Sequence, residues 1–288
     1  MNIDPHSIIS PSAKIGQNVE IGPFCVIEPD VCIGDNCRLD SRITLKRGTV
    51  LGTGNNIGSG TVIGDKPQHT AVKDSYGKVI IGNNNTFREN TTVHASMKES
   101  EATVIGSNNY LMVNAHVAHD CVIGNDNVLV NNVMLGGHVH IGNRVNLGGA
   151  VGVHQFCRIG SLAMVGGQAH VIQDVPPFVT VDGLTSRIVG LNQIGLRRNG
   201  RTIEEVNVLK EVYRLIYRSG LTWTEILQQL QNNYAVGPCA EMTQFLLATK
   251  RGIVSERRSF NAPLRLVDNG DEQESSVIES RTLKINVG

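Results

Sequence analysis

A six-residue beat of aliphatic side chains governs most of this chain. Ile9, Ile15, Ile21, Ile27, Ile33, Leu39, Leu45, Leu51, Ile57 and Ile63 stand six apart. The beat resumes at Ile81, Phe87 and Val93. It resumes again from Ile105 through Leu111, Val117, Ile123, Leu129, Leu135, Ile141, Leu147, Val153, Ile159 and Val165 to Val171. Two residues before each aliphatic sits a mostly small residue, as at Ala13, Val19, Cys25, Val31, Cys37, Cys121, Asn127 and Val133. Neither an α-helix nor a flat strand has this period. A parallel β-helix does, with three short strands closing one triangular coil of about 18 residues. The aliphatics then fill the prism, and the small residues fit beside them near the corners.

Composition agrees with that architecture. Glycine (31 residues) and frequent asparagine suit corners that need tight or left-handed backbone. Aromatics are only 4% of the chain, as a narrow prism requires. Lys+Arg and Asp+Glu both number 26, so no overall charge argues for nucleic acid or a membrane surface. No apolar run is long enough to span a bilayer, and Met1-Asn2-Ile3-Asp4 has no signal-peptide character. The six cysteines lack paired spacing. Cys25, Cys37, Cys121 and Cys157 fall on the inward small column, as core thiols of a reducing cytoplasm.

The beat breaks at 65–79 and 95–103. Insertions in a solenoid leave as loops on one face, often the binding face. The coils span 1–188, with Gln173-Asp174-Val175-Pro176-Pro177 closing the regular ones and one irregular turn following. A small C-terminal α-helical domain is expected over 189–255. Thr202 with Glu205 makes a capping box, followed by the stripe Val206, Leu209, Tyr213 and Ile216. Thr222 with Glu225 makes a second box, and a third helix runs from about Cys239 to Lys250. Residues 256–288, with Asp268-Asn269-Gly270-Asp271-Glu272, read as a mostly disordered tail.

Register alone gathers a candidate site. Residues 18 apart stack between Ile105 and Val171. Gly136-Gly137-His138 therefore lies above Ala118-His119-Asp120, and His154-Gln155-Phe156 above that, with coils roughly 4.8 Å apart. His116 adds an imidazole close by. None of these residues is on an inward column, so they face out of the prism along one edge. A zinc site is one use of such histidines, but zinc needs three ligands converging on a point. Asp120 and the glycines suit base catalysis better, so no metal is expected. His119 reads as a general base, Asp120 as its support, and the Gly137 amide as an oxyanion donor. No Ser or Cys nucleophile stands in the cluster. The chemistry expected is direct transfer of an acyl group from a thioester to a hydroxyl.

Asn114-Ala115-His116-Val117-Ala118-His119-Asp120-Cys121, Gly137-His138-Val139, Val153-His154-Gln155-Phe156-Cys157, Met164-Val165-Gly166-Gly167, Gln173-Asp174-Val175-Pro176-Pro177 and Tyr213-Arg214-Leu215-Ile216-Tyr217-Arg218-Ser219-Gly220 together resemble one family. That family is the UDP-N-acetylglucosamine O-acyltransferases, which carry out the first step of lipid A synthesis. The resemblance runs from about residue 3 to residue 252. It implies an all-β parallel left-handed β-helix of hexapeptide repeats with a small helical domain. It also implies a cytoplasmic homotrimer with sites between subunits, which moves an acyl chain from acyl carrier protein to the 3-hydroxyl of the sugar nucleotide. No cofactor is implied beyond the carrier-protein thioester as co-substrate. His119, Asp120 and Gly137 carry over as the catalytic set. Gln68, His69, His116, His138, His154 and Gln155 would contact sugar nucleotide or acyl donor. Asn192 and Arg198 match positions that contact nucleotide or pantetheine. Gly167, above Gly149, would leave a smooth strip for an acyl chain. Arg197, Arg198, Arg201, Lys210, Arg214 and Arg218 form a basic patch suited to an acidic carrier protein.

Departures cluster on the acceptor side. The family loop has Gln-Asp followed two places later by Lys, and here the segment is Pro67-Gln68-His69-Thr70-Ala71. The family's His-Arg-Gly-Thr is His94-Ala95-Ser96-Met97, and its basic pair after the coils is Arg198-Asn199. The alternatives are therefore another sugar acceptor, including a 3-amino sugar, or acetyl-CoA as donor. A scaffold that trimerises and binds without turnover is a further alternative, which the intact histidine edge opposes.

Overall fold

Each hexad contributes a strand of about two residues, and its second residue points into the prism. Glu20–Ile21, Val26–Ile27 and Cys32–Ile33 are three successive examples, with Ile21, Ile27 and Ile33 buried. The preceding small column, Val19, Cys25 and Val31, is fully buried beside them. The computed structural model describes residues 2–72 and 74–257. Among them, the strands assemble into three sheets of 11, 9 and 8 strands, parallel throughout the coils. Equivalent residues of neighbouring coils are 18 apart, as in Glu20↔Arg38, Val26↔Thr44 and Cys32↔Val50. Each coil thus satisfies the backbone of the next, and its aliphatics stack into one continuous core.

Closing a triangle with six residues per side demands a sharp turn at each corner. At most corners the residue three after the inward aliphatic has a left-handed backbone, as in Asn18 (φ 54°), Asn36 (57°) and Asp126 (59°). Asn, Asp and Gly adopt this cheaply, which is why they recur there. Inside the prism, Asn55, Asn85, Asn109 and Asn127 form a buried ladder. The side-chain oxygen of each accepts the backbone N–H one coil on, at 2.8–2.9 Å. The side-chain oxygens are thereby paired with amide groups of the coil above, and among the described residues only Asn127 Nδ2 of the ladder is left without a partner.

Both insertions leave from the same edge of the prism. The first connects Val62–Asp65 of the nine-stranded sheet to Lys78–Ile81 of the eight-stranded one. The second connects Thr92–His94 to Ala102–Ile105 across the same two sheets. They lengthen their coils without shifting phase, since Asn56 pairs Thr86 and Thr92 pairs His116.

After the last regular coil the chain turns back on itself. Val179–Val181 and Ile188–Leu191 pair antiparallel at the end of the 11-stranded sheet. Ordered strand therefore continues beyond the expected limit at 188. Among the described residues four α-helices follow: α1 (Gln193–Arg198), α2 (Ile203–Arg218), α3 (Trp223–Asn233) and α4 (Ala240–Leu247). Helix α1 carries only Leu196 to the core and was not anticipated. Both capping boxes form, and Val206, Leu209, Tyr213 and Ile216 are buried as α2's inner stripe. The helices are latched to the coils by Arg158 and the buried Asp174. Arg158 Nε donates to Asp174 Oδ2 at 3.1 Å, a terminal nitrogen donates to the Phe245 carbonyl, and the guanidinium lies 4.1 Å over the Phe245 ring. Of the segment read as tail, Glu256 accepts from Tyr213 and Arg218, and the Arg257 N–H donates to the Ile188 carbonyl. Those two residues are thus bonded back to the fold, and the rest of that segment lies outside the described residues. No described helix is long and apolar enough to cross a membrane.

Candidate active site

The 18-residue register brings the predicted histidine edge together. The His138 N–H donates to the His119 carbonyl, and the Phe156 N–H to the Gly137 carbonyl, so three coils are stitched corner to corner. Asp120 (φ 61°), His138 (59°) and Phe156 (66°) occupy successive left-handed corners. His and Phe hold that backbone at a cost, which the ladder of hydrogen bonds on either side imposes.

His119 and Asp120 are not on the exposed edge that register predicts. They leave the prism, yet they are only 7% and 8% exposed. The reason is the two insertions, which fold over them. From the first loop, His69 sets its ring edge-on to His119, with centroids 5.8 Å apart. From the second, the Ser96 hydroxyl donates to Asp120 Oδ1 at 2.5 Å, and the Met97 N–H reaches both carboxylate oxygens at 3.3 Å.

The dyad is short and one-sided. His119 Nδ1 lies 2.6 Å from Asp120 Oδ2. With Asp120 ionised, Nδ1 carries the hydrogen and Nε2 keeps its lone pair, the tautomer a base needs. Burial alone would raise the Asp120 carboxyl. Hydrogen bonds from Ser96, His119 and Met97, with His138 nearby, outweigh it and hold the group below its ordinary value. Gly137 lies against the His119 ring: a Cβ there would fall 2.5 Å from Cε1 and 2.7 Å from Nε2. Among the described residues the Gly137 N–H finds no hydrogen-bond acceptor, whereas its neighbours Gly136 and His138 do.

A second imidazole pair stands behind the first. His116 Nδ1 lies 2.7 Å from the Thr92 hydroxyl, and its ring meets His94 edge-on at 5.0 Å. Burial, with His94 adding repulsion, pushes His116 down to about 4. Burial also lowers His94 and His138. Burial thus disfavours the charged form of all three rings; His116 is hydrogen-bonded to Thr92, whereas the buried His94 Nδ1 has no partner among the described residues. His138 stacks flat on Phe156, with centroids 4.6 Å apart.

A cleft of about 470 Å³ opens over this edge. Its walls include Gln68, His69, His116, His119, Gly137, His154 and Gln155. That volume is in the range that holds a small-molecule group. His170 and Met134 also line it. Sequence reasoning missed both, although each lies in register with His116 on the column His116↔Met134↔Gly152↔His170. Gly167, Asn192 and Arg198 are not in this cleft. Gly167 is exposed over Gly149 at the edge between the 11- and nine-stranded sheets. The Asn192 side chain caps α1 by accepting from the Gly195 N–H, and it donates to the Leu162 carbonyl. Of the basic patch, Arg201 is taken up by Glu205 and Arg218 by Glu256, so the free charge there is smaller than the sequence indicates. Arg198 makes no ion pair among the described residues and stands exposed at the end of α1.

His119, Asp120 and His138 each offer a metal-ligating atom, all within 4.8 Å of one another. Asp120 already accepts from Ser96, Met97 and His119, so an ion would have to compete with the bond that makes the dyad. The donor set fits proton transfer better than zinc.

Comparison with known proteins accounts for both parts of the chain. Residues 12–42 and 102–137 match the bacterial transferase hexapeptide model, and residues 174–254 match the second domain of UDP-N-acetylglucosamine O-acyltransferase. The acyl-carrier-protein-dependent UDP-N-acetylglucosamine O-acyltransferase of Burkholderia lata is 38% identical over 258 residues, 88% of this chain and 98% of that one. This chain belongs to that O-acyltransferase family. The Gloeothece citriformis member is 43% identical over 190 residues, 66% of this chain and 69% of its own. The crystal structure of the Moraxella catarrhalis member superposes with a TM-score of 0.85 at 40% identity, covering 88% of this chain and all of that one. Family membership makes the chain an O-acyltransferase built on a hexapeptide-repeat solenoid.

Proposed function

We propose that this chain transfers an acyl group from an acyl-carrier-protein thioester to the 3-hydroxyl of UDP-N-acetylglucosamine, as the first step of lipid A synthesis. The observation that carries the reading is the His119–Asp120 dyad, with the His119 ring packed against Gly137 and both of those residues lining a cleft, in a chain of this family. The sugar hydroxyl gives its proton to His119 Nε2 as its oxygen attacks the thioester carbon. The carbonyl oxygen takes up the electron pair and is stabilised by the Gly137 N–H. Collapse of the tetrahedral intermediate breaks the carbon–sulfur bond, and the pantetheine thiolate leaves with the proton held on His119. Asp120 supports the imidazolium while it carries that proton. Gln68, His69, His116, His154 and Gln155 bind substrate from the walls.

The active form is a homotrimer in this reading. The residues that the resemblance assigns to substrate lie on two different edges of one prism, with Gly167 and Asn192 away from the cleft. A neighbouring copy brings the second edge up to the first. Exposed Met134, Phe156 and Ile172 around the cleft support this, since a partner would cover them.

His69 favours one variation on the acceptor. An imidazole, not a carboxylate, faces the base from the first loop, and Ala71 provides no ammonium group. A sugar carrying a 3-amino group is therefore the second acceptor to test. Mass spectrometry of products from carrier-protein thioesters of several lengths, each offered UDP-N-acetylglucosamine and its 3-amino analogue, separates the two. Product from neither acceptor, or equal use of acetyl-CoA, would overturn the reading.

A further inference from the structure

We propose that Ser96 is a positioning residue of the catalytic dyad: its hydroxyl holds the Asp120 carboxylate and, through it, the ring of His119. The inference rests on His119 acting as the base.

Ser96 is fully buried, in the second insertion. Its hydroxyl is held from both sides. It donates to Asp120 Oδ1, and it accepts from the Lys98 N–H at 3.2 Å. The carboxylate is therefore gripped by one donor on each oxygen, Ser96 on Oδ1 and His119 Nδ1 on Oδ2. Asp120's own N–H donates to Thr103 Oγ1 at 2.8 Å, which fixes the backbone from which the carboxylate swings. A competing donor stands nearby. His138 Nε2 is 3.6 Å from Asp120 Oδ2. Without Ser96 nothing comparable opposes rotation of the carboxylate toward His138, and that rotation would take Oδ2 off His119. The Met97 N–H reaches both oxygens only at 3.3 Å and is the weaker hold.

Ser96 is itself anchored to the first insertion. Its carbonyl accepts from the Gly77 N–H at 2.8 Å, its N–H donates to the Lys78 carbonyl, and the Ala95 N–H donates to the Asp65 carbonyl at 2.9 Å. The seam is tight, because a Cβ on Gly77 would fall 2.2 Å from the Glu101 carbonyl oxygen and 2.9 Å from Ser96 Cβ. One residue thus ties the loop that carries Gln68 and His69 to the carboxylate that orients the base.

The test is a mutant cycle on the intact enzyme, read as kcat and KM for both substrates. Ser96→Ala is expected to lower kcat by roughly tenfold, the scale of one hydrogen bond to a charged group, while KM for acceptor and donor stays within about twofold. Ser96→Thr, which keeps the hydroxyl, recovers most of kcat. In an Asp120→Asn background the same Ser96→Ala change costs no further rate. Full multiplicative losses in the double variant, an unchanged kcat in Ser96→Ala, or a loss confined to KM would each overturn the proposal. Should Ser96→Ala fail to fold, Ser96→Thr against Ser96→Cys carries the same comparison, since Cys keeps the volume without a strong donor. His119→Ala, run in parallel, separates this proposal from the one beneath it. Near-normal turnover there overturns the base assignment and this proposal with it. An inactive His119→Ala beside an unaffected Ser96→Ala overturns this proposal alone.

Discussion

Gly137→Ala tests the geometry of the site with a single methyl group. Residue 137 lies outside the left-handed region, so alanine adopts its backbone without strain. The methyl is what cannot fit. It would sit 2.5 Å from His119 Cε1, and ordinary contact begins at 3.4 Å, so something must give by about 0.9 Å. The backbone at 137 is held by the flanking ladder, Gly136 to Val153, His138 to His119 and Phe156 to Gly137. The imidazole therefore moves, against its 2.6 Å bond to Asp120 and its edge contacts with His69 and His138. A shift near 1 Å in a reacting group costs on the order of 10²-fold in rate. The overpacking itself costs about 1–3 kcal/mol of stability, which a domain this size survives. The amide N–H remains in alanine, so the loss reports on His119 and not on a missing oxyanion donor. The assay is single-turnover acyl transfer followed by mass spectrometry, with a melting curve on the same sample. Wild-type kcat in a folded Gly137→Ala variant would refute the placement of His119 against residue 137.

Three further outcomes follow from the same structure. Stability falls on acidification below about pH 6.5. His116 titrates near 4 in the fold against an ordinary histidine value when unfolded, so between those limits the unfolded chain binds more protons. His116→Asn should flatten the fall in melting temperature between pH 7 and 5, and a melting temperature that rises on acidification contradicts the burial argument. Transfer from carrier protein weakens as salt rises, and Arg198→Glu raises KM for the carrier thioester several-fold at low ionic strength, where exposed charges are least screened. Arg201→Glu acts instead mainly on stability, since Arg201 is engaged with Glu205; larger KM effects at 201 than at 198 contradict the patch as drawn. Sedimentation at micromolar concentration should give a trimer, and a fully active monomer is incompatible with a site shared between two edges.

Periodicity made the coils legible because it repeats. A strand of two residues carries almost no propensity signal, but twenty-odd of them in phase fix the fold, the inward columns and the 18-residue register. That register alone set Gly137 over His119 and Gln155 over both. Capping boxes at Thr202 and Thr222 marked α2 and α3 for a similar reason, since each is a contact between residues three apart. The loops have no period and no local code. Their course is decided by hydrogen bonds to residues far along the chain, such as Ser96 to Asp120 across 24 positions and Gly77 to the Ser96 carbonyl. In sequence Ser96 was only a departure from a family run, and its place on the carboxylate was invisible. The burial of His119 and Asp120 has the same origin, because an edge that faces out of a prism is exposed only until something folds over it. The pairing of Arg201 with Glu205 and of Arg218 with Glu256 likewise belongs to the folded chain. Net charge counts ions along a sequence, and only tertiary contact determines which of them remain free.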